Sequence, residues 1–372
     1  MNKTVSLIVP TYNEHDNIAP LVERIHCALS PRDYEILFID DDSTDGTADA
    51  ASSLLEKYPV RVIVRKDKKG LASAVVDGLN HINGDVIAVM DADLQHPPEV
   101  LPGLLKAITE EDADVAIGSR YVPGGGCQGW SLTRKIISRG AIFIAHLLLP
   151  ATRKVKDPMS GFFAFRRNVV KDARLNPSGF KILLEILMMG RFNRVAEVPF
   201  IFVTRERGES KLNARQQLDY LKHIYSLMRR TGELTRFIKF CLVGGSGVIV
   251  NYGLYWILTR FAGFTPIDDM AAGGITSGNL AMAISIETSI ITNFLLNNYF
   301  TFADRKVRKA GAFFRALLNF NLICIIGGLI QIGVANLFAV VFGVNDLIAV
   351  LAGIAVATLW NYFLNNWLTW KH

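Results

Sequence analysis

Apolar and polar positions follow two different patterns along this chain. Up to about residue 236, short apolar runs of strand length are interleaved with stretches of helical period. Beyond it the apolar runs lengthen and charges become rare. In the first part, residues 5–9, 34–39, 60–64, 85–90 and 115–118 read as strands. Between them lie a helix over 16–29, capped by Asp16 and amphipathic through Ile18, Leu21, Val22 and Ile25, and a second opened by Asp45-Gly46-Thr47. A small-residue helix follows over 70–79, and Pro97-Pro98-Glu99 begins another. Strands alternating with helices predict an open, mainly parallel α/β sheet, whose ligands lie outside the carboxyl ends of the strands.

The second part predicts four membrane-spanning helices, at about 237–261, 278–302, 316–342 and 347–370, each long enough to cross a bilayer. Trp256, Tyr299, Trp360, Trp367 and Trp370 fall toward segment ends, as interfacial anchors do. The loop Asp304-Arg305-Lys306-Val307-Arg308-Lys309 is basic, whereas Asp268-Asp269 and Asn345-Asp346 lie in the other two loops. The positive-inside rule places the basic loop, both termini and the first part of the chain in the cytoplasm, with the chain a multi-pass protein of the cell membrane. The stretch 293–302, Asn-Phe-Leu-Leu-Asn-Asn-Tyr-Phe-Thr-Phe, is echoed by 361–370, Asn-Tyr-Phe-Leu-Asn-Asn-Trp-Leu-Thr-Trp, so the four helices form two related hairpins. Their Asn side chains cross-link helices or grip a lipid phosphate, with packing the simpler reading. Gly244-Gly245-Ser246-Gly247 and Gly327-Gly328 favour close helix approach. Two further stretches, 132–149 and 213–230, are amphipathic and basic, and are expected to lie in the headgroup plane. The domains expected are therefore 1–232 and 233–372.

Composition adds little to this division. The 372 residues are 50% hydrophobic and 20% charged with net charge +6, and the pI is about 9.1. The cations concentrate near membrane ends and in amphipathic stretches, so anionic lipid headgroups and phosphate substrates, not nucleic acid, are the expected partners. The cysteines (Cys27, Cys127, Cys241, Cys324) have neither paired nor metal-ligand spacing and are expected to be reduced. No secretory signal is visible, because the first residues lead straight into a core strand.

The candidate chemistry lies at the strand ends. The apolar run 86–90 ends in Asp91-Ala92-Asp93-Leu94-Gln95. If the strand continues, Asp91 and Asp93 point to one side, where like charges need a cation between them. Asp91, Asp93 and Gln95 supply oxygen ligands suited to Mg²⁺ or Mn²⁺, ions that bind together with substrate phosphates. This reads as the diphosphate end of a nucleotide-sugar site. Tyr12 and Glu14, Asp40 to Asp42, and Ser119-Arg120 end the neighbouring strands. His96 reads as a turn residue, and Gly124-Gly125-Gly126 as a mobile active-site loop, since it lacks the Lys-Ser/Thr of a phosphate-binding loop.

Several stretches resemble the family 2 glycosyltransferases, and within them the dolichol-phosphate mannose synthase type. These are 8–14, Ile-Val-Pro-Thr-Tyr-Asn-Glu; 40–47, Asp-Asp-Asp-Ser-Thr-Asp-Gly-Thr; 91–99, Asp-Ala-Asp-Leu-Gln-His-Pro-Pro-Glu; 160–163, Ser-Gly-Phe-Phe; and 205–212, Arg-Glu-Arg-Gly-Glu-Ser-Lys-Leu. The resemblance covers roughly residues 5 to 230; the part after it resembles the GtrA-like four-helix domain less specifically. It implies a GT-A-type, Rossmann-like nucleotide-sugar-binding α/β domain followed by an all-α four-helix transmembrane domain. Pro10, Tyr12, Glu14, Ile39 and Asp41 would hold the nucleoside, and Asp91 and Ala92 would sit by the ribose and diphosphate. Asp93 and Gln95 would ligate the metal. Arg120, Arg134, Arg205, Ser210 and Lys211 would handle phosphates, with Asp91, Asp93, Arg120 and Arg134 the catalytic set. Asp42 stands where many relatives carry Gly, which should perturb a turn. The Gln-x-x-Arg-Trp motif of processive synthases is absent, which argues against polymerisation. The implied reaction is metal-dependent, inverting transfer of mannose from GDP-mannose to dolichyl or another polyprenyl phosphate. UDP-glucose as donor, or a lipid-linked sugar flippase or scaffold, are the alternatives.

Overall fold

The computed structural model describes residues 4–66, 70–177, 179–203, 214–264 and 277–371. The chain divides into two compact units, Met1–Thr231 and Gly232–His372.

In the first unit, strands β1 (Val5–Thr11), β2 (Tyr34–Asp40), β3 (Val60–Val64), β4 (Val86–Val89), β5 (Val115–Ser119), β7 (Phe163–Arg166) and β8 (Val195–Pro199) form one sheet among the described residues. Its order is β3-β2-β1-β4-β7-β5-β8. All neighbours are parallel except β7, which runs antiparallel to both β4 and β5. β6 (Gly126–Cys127) and β9 (Ile201–Phe202) pair separately.

Residue alternation sends each strand into two cores. Leu7, Val9, Ile36, Phe38, Val86 and Ala88 face a layer built with Ile18, Leu21, Val22 and Ile25 of α1 (His15–Leu29) and Leu104, Leu105 and Ile108 of α4 (Leu101–Thr109). Ile8, Leu37, Ile39, Ile87 and Val89 face the opposite layer, with Val75 of α3 (Leu71–Leu79) and Leu183, Ile186 and Leu187 of α6 (Ile182–Met189). The short helix α2 is Thr47–Ser52. The five expected strands are present. β6, β7, β8 and β9 were not foreseen, and β7 converts a parallel sheet into a mixed one.

Helices α5 (Leu132–Leu148) and α7 (Ala214–Arg230) pack on each other, and Tyr220 Oη donates to Ala141 O at 2.6 Å. Their outer side chains, Leu132, Ile136 and Phe143 with Leu218, Leu221 and Tyr225, are exposed. α7 is anchored on its inner face by Glu185, fully buried, which is 3.1 Å from His223 Nε2 and 2.5 Å from Arg230 Nη1.

The second unit contains α8 (Glu233–Phe261), α9 (Ser277–Leu296), α10 (Ala310–Asn336) and α11 (Asp346–Leu364). With their π-helical extensions the spans are Glu233–Phe261, Ser277–Thr301, Ala310–Val341 and Asp346–Thr369, each long and apolar enough to cross a membrane. Ile249, Leu329 and Leu351 are among the many apolar side chains left exposed. A carboxylate, Glu287, also lies within a span, and Asn321 Nδ2 donates to it from α10 at 2.6 Å.

The sequence repeat is a structural one. Asn297–Thr301 and Asn365–Thr369 are both π-helical turns. Asn293 lies against Gly247 and Asn361 against Gly327, so close that a Cβ on either glycine would fall 2.3 Å from an amide atom. Phe302 and Trp370, the last residues of the two repeats, stack with centroids 4.3 Å apart and planes at 8°. Trp370 Nε1 donates to Asn298 Oδ1 at 3.0 Å, and Arg305 Nη1 to Asn366 Oδ1 at 2.9 Å. The Asn side chains therefore join helices. Trp370 is corrected from interfacial anchor to buried core residue, 1% exposed; Trp256, Tyr299 and Trp367 remain on the surface.

Candidate active site

The carboxylate loop follows β4 but does not extend it. The strand ends at Val89, so strand alternation does not place Asp91 and Asp93, and that step of the sequence argument is corrected. The loop turns instead through Leu94, whose φ of 60° lies in the left-handed region, an uncommon conformation for a residue with a Cβ. Gln95 N–H closes the turn onto Asp93 Oδ1 at 3.1 Å, and Asp91 N–H donates to His96 Nδ1 at 3.2 Å. His96 is stacked on Phe162 at 5.2 Å and meets Phe200 and Phe202 edge-on. Burial pushes its pKa down to about 4, so the ring is neutral and accepts at Nδ1. The expected turn residue is thus the buried support of the loop. Gly161 completes it: a Cβ there would lie 3.1 Å from Asp91 Oδ2 and 3.2 Å from His96 Cε1.

Beside the loop stands a group of cations. Arg120, at the end of β5, is gripped by the fully buried Asp157 through Nε and Nη2, each at 2.8 Å, and donates its backbone N–H to the same carboxylate. Burial opposes its charge, but the Asp157 pair more than offsets this and raises its pKa. One carboxylate thus occupies the Nε–Nη2 edge of the fork expected to handle phosphates. Arg134, in the first turn of α5, lies over the Trp130 ring at 4.3 Å. Lys181, immediately before α6, was missed. Its Nζ donates to Met159 O at 2.9 Å. Burial, then Arg120, pushes its pKa down to about 8, while Asp91 and Asp157 act the other way. A lysine opening the apolar run Ile182-Leu183-Leu184 was the available signal.

The nucleoside candidates occupy the ends of β1 and β2, next to the β1/β4 crevice where the strand order reverses. Tyr12 is exposed, and Pro10 is buried at the end of β1. Glu14 accepts from Asn17 Nδ2 at 2.6 Å, and its N–H donates to Thr47 Oγ1 at 2.9 Å. The Ile39 and Ala92 side chains lie in opposite core layers, so each meets a ligand through its backbone only. Asp40 closes its own turn by accepting from Thr11 Oγ1 and from Ser43 N and Oγ. Asp41 lies 3.1 Å from Arg65 and accepts from Gly70 N–H at 2.7 Å. Asp42 has φ 57°, the conformation that favours Gly and that Asp tolerates.

Arg205, Ser210 and Lys211 lie outside the described residues. The chain just before them is tied to the carboxylate loop, with Gln95 Nε2 donating to Val203 O at 2.9 Å. The three-glycine stretch, expected as a mobile loop, is anchored instead: Gly125 N–H donates to Val122 O and Gly126 N–H to Phe200 O. Among the described residues, no three His, Cys, Asp or Glu side chains gather to hold a metal ion.

Residues 6–174 match the profile of Glycosyl transferase family 2, and residues 239–370 that of the GtrA/DPMS transmembrane domain. A dolichol-phosphate mannosyltransferase of Pyrococcus furiosus is 45% identical over 98% of this chain and 99% of its own length. The chain belongs to the dolichol-phosphate mannosyltransferase family. Two further members, from Saccharomyces cerevisiae and Mycosarcoma maydis, are 40% and 41% identical. They align with 64% and 60% of this chain and with 94% and 79% of their own length. This dolichol-phosphate mannosyltransferase family member is thus a glycosyltransferase and a membrane protein, with a GT-A-like mixed α/β domain followed by four apolar helices.

Proposed function

We propose that this enzyme transfers mannose from GDP-mannose to dolichyl or another polyprenyl phosphate with inversion, giving a β-linked mannosyl phospholipid. The observation that carries this reading is the full-length 45% identity to the Pyrococcus enzyme. The carboxylate loop set against Lys181, Arg120 and Arg134 supports it, because this end of the site has the charge needed for two phosphate-bearing substrates.

The oxygens of Asp91, Asp93 and Gln95 fit a hard divalent cation as part of a shell completed by substrate phosphate and water. Bound there, Mg²⁺ or Mn²⁺ would supply charge compensation for the departing diphosphate. Asp91 and Asp93 are held for this by the neutral His96 and by the Gln95 N–H. Lys181 and Arg134 are the cations placed to draw in phosphate, with Arg120 fixing Asp157 and the loop that carries Gly161. An acceptor phosphate monoester has a second pKa near about 6 and is already an anion at neutral pH, so it attacks the anomeric carbon without a side-chain base. His96, neutral and with Nδ1 filled, is not placed to serve as one.

The exposed apolar residues of α5 and α7, flanked by Lys135, Arg139, Lys222 and Arg229, fit a surface that rests on lipid headgroups. The basic 304–309 loop supports, through the positive-inside rule, a cytoplasmic position for the catalytic unit at the cell membrane.

The test is a donor panel: purified protein, dolichyl phosphate and either ion, with GDP-mannose against UDP-glucose and chelator controls, read by mass spectrometry of the lipid. A chelator-sensitive β-mannosyl lipid is expected. A glucosyl lipid overturns the donor, and an α-linked product overturns the single displacement.

A further inference from the structure

Arg65 is a buried cation that the reaction as described does not use. It follows β3 directly and its side chain is 4% exposed. Its guanidinium lies among four groups, one of them the Gly70 carbonyl, to which Nη1 donates at 3.5 Å. Nη1 is 3.1 Å from Asp41 Oδ1, Nε is 3.1 Å from Asp77 Oδ2, and Nη2 donates to Ser73 Oγ at 2.9 Å. Asp77 and Ser73 both belong to α3, whereas Asp41 follows β2. One planar fork therefore binds the loop after β2 to the first two turns of α3. The N–H of Gly70, the residue before that helix, adds a 2.7 Å hydrogen bond to the other Asp41 oxygen.

The Arg65 charge and the Gly70 N–H hold the Asp41 carboxylate from two sides. Its side chain is 8% exposed, and the Arg65 guanidinium 3.1 Å away supplies the compensating positive charge. Arg65 meets Asp41 and Asp77 at ion-pair distance, and its hydrogen bonds go to Ser73 Oγ and Gly70 O, so the start of α3 holds the cation against Asp41 Oδ1 while the Gly70 N–H bonds the other carboxylate oxygen. Arg65 with Asp41 and Asp77 also carries one excess negative charge. That sign suits the N–H and O–H donors of a nucleoside and is opposite to the cationic group around Lys181.

We propose that Arg65 is the positioning residue for donor binding, acting through Asp41 and without touching the substrate. This rests on the assignment of Asp41 to the nucleoside end of the site. Removing Arg65 should therefore weaken the donor and spare the acceptor.

The experiment uses full-length enzyme with three variants, Arg65→Met, Arg65→Lys and Asp41→Ala, and the double variant of Arg65→Met with Asp41→Ala. GDP affinity is measured by calorimetry, and KM by turnover for donor and for lipid phosphate. Arg65→Met is expected to raise donor KM and GDP Kd about tenfold, with acceptor KM unchanged and kcat at saturating donor nearly retained. Arg65→Lys, which keeps the charge without the fork, should fall in between and serves if Arg65→Met does not fold. The double variant should match Asp41→Ala alone, the non-additivity expected of residues acting as one unit. Equal losses in donor KM, acceptor KM and kcat, or additive effects in the double variant, overturn the proposal. If Asp41→Ala leaves donor KM unchanged, the nucleoside assignment itself fails; if Asp41→Ala raises it and both Arg65 variants do not, only the role of Arg65 fails.

Discussion

The two units set their buried polar groups in different surroundings. In the catalytic unit the enclosed groups are ion pairs at strand ends, Arg120 with Asp157 and Arg65 with Asp41, set against an apolar core that water drives together. In the membrane unit many apolar side chains face outward, and the interior combines a buried aromatic cluster, Phe294, Phe302, Phe320, Tyr362 and Trp370, with close contacts of Asn293 against Gly247 and Asn361 against Gly327. Its ion network, Glu233, Arg236, Asp304 and Arg305, is gathered at one end of the helices. Lipid offers no hydrophobic force between helices, so close packing and interhelical hydrogen bonds do that work. The first unit is thus vulnerable through its charges and the second through its contact distances.

The sharpest break is chemical. Asp93→Ala should cut transfer by about 10³-fold or more while leaving the protein folded, measured as initial rates beside a thermal melt. Full activity would remove Asp93 from any metal-binding role. Next comes Arg120→Met, which leaves Asp157 buried without its cation. It should cost the catalytic unit roughly 3–5 kcal/mol in denaturant unfolding, and Asp157→Asn combined with it should recover part of the loss.

A pH profile sharpens the electrostatic side. Lys181 has a lowered pKa of about 8, so it is charged below that pH and neutral above it. kcat/KM should fall above pH 8 by at most about tenfold per pH unit, and Lys181→Arg should move that limb upward. On the membrane side, Gly327→Ala drives a Cβ into Asn361 and should destabilise that unit by about 1–3 kcal/mol, with turnover per folded molecule unchanged. The smallest effect is expected from ending the chain after Gly232. The yeast family member is spanned over 94% of its length by 64% of this chain, so a third of this chain has no counterpart there. Transfer to a short-chain acceptor in detergent should stay within about threefold of the full chain, as expected if the four membrane helices take no part in the chemistry.

Much of this was legible in advance because it is local. Short, nearly continuous apolar runs at 5–9, 34–39 and 86–89 mark strands buried on both faces, and the length of the four apolar runs marks the spans. The spacing of Asp91, Asp93 and Gln95, with the motifs around them, pointed to the site and the family. What was not legible depends on residues far apart in sequence. β7 takes its place because Phe163 pairs with both Val89 and Ile117. Arg120 meets a buried carboxylate 37 residues away. His96 becomes a support only inside a cage made by Phe162, Phe200 and Phe202, and Lys181 becomes a site cation only once α6 brings it beside Arg120 and Asp91.

By itself the sequence determined the fold class, the division into a catalytic and a membrane part, and the carboxylate loop, since each is written in neighbouring residues and their periodicity. Only the tertiary structure decided which charges meet. Ion pairing, burial and the pKa shifts that follow depend on distances of a few ångströms between segments that the linear order leaves unspecified.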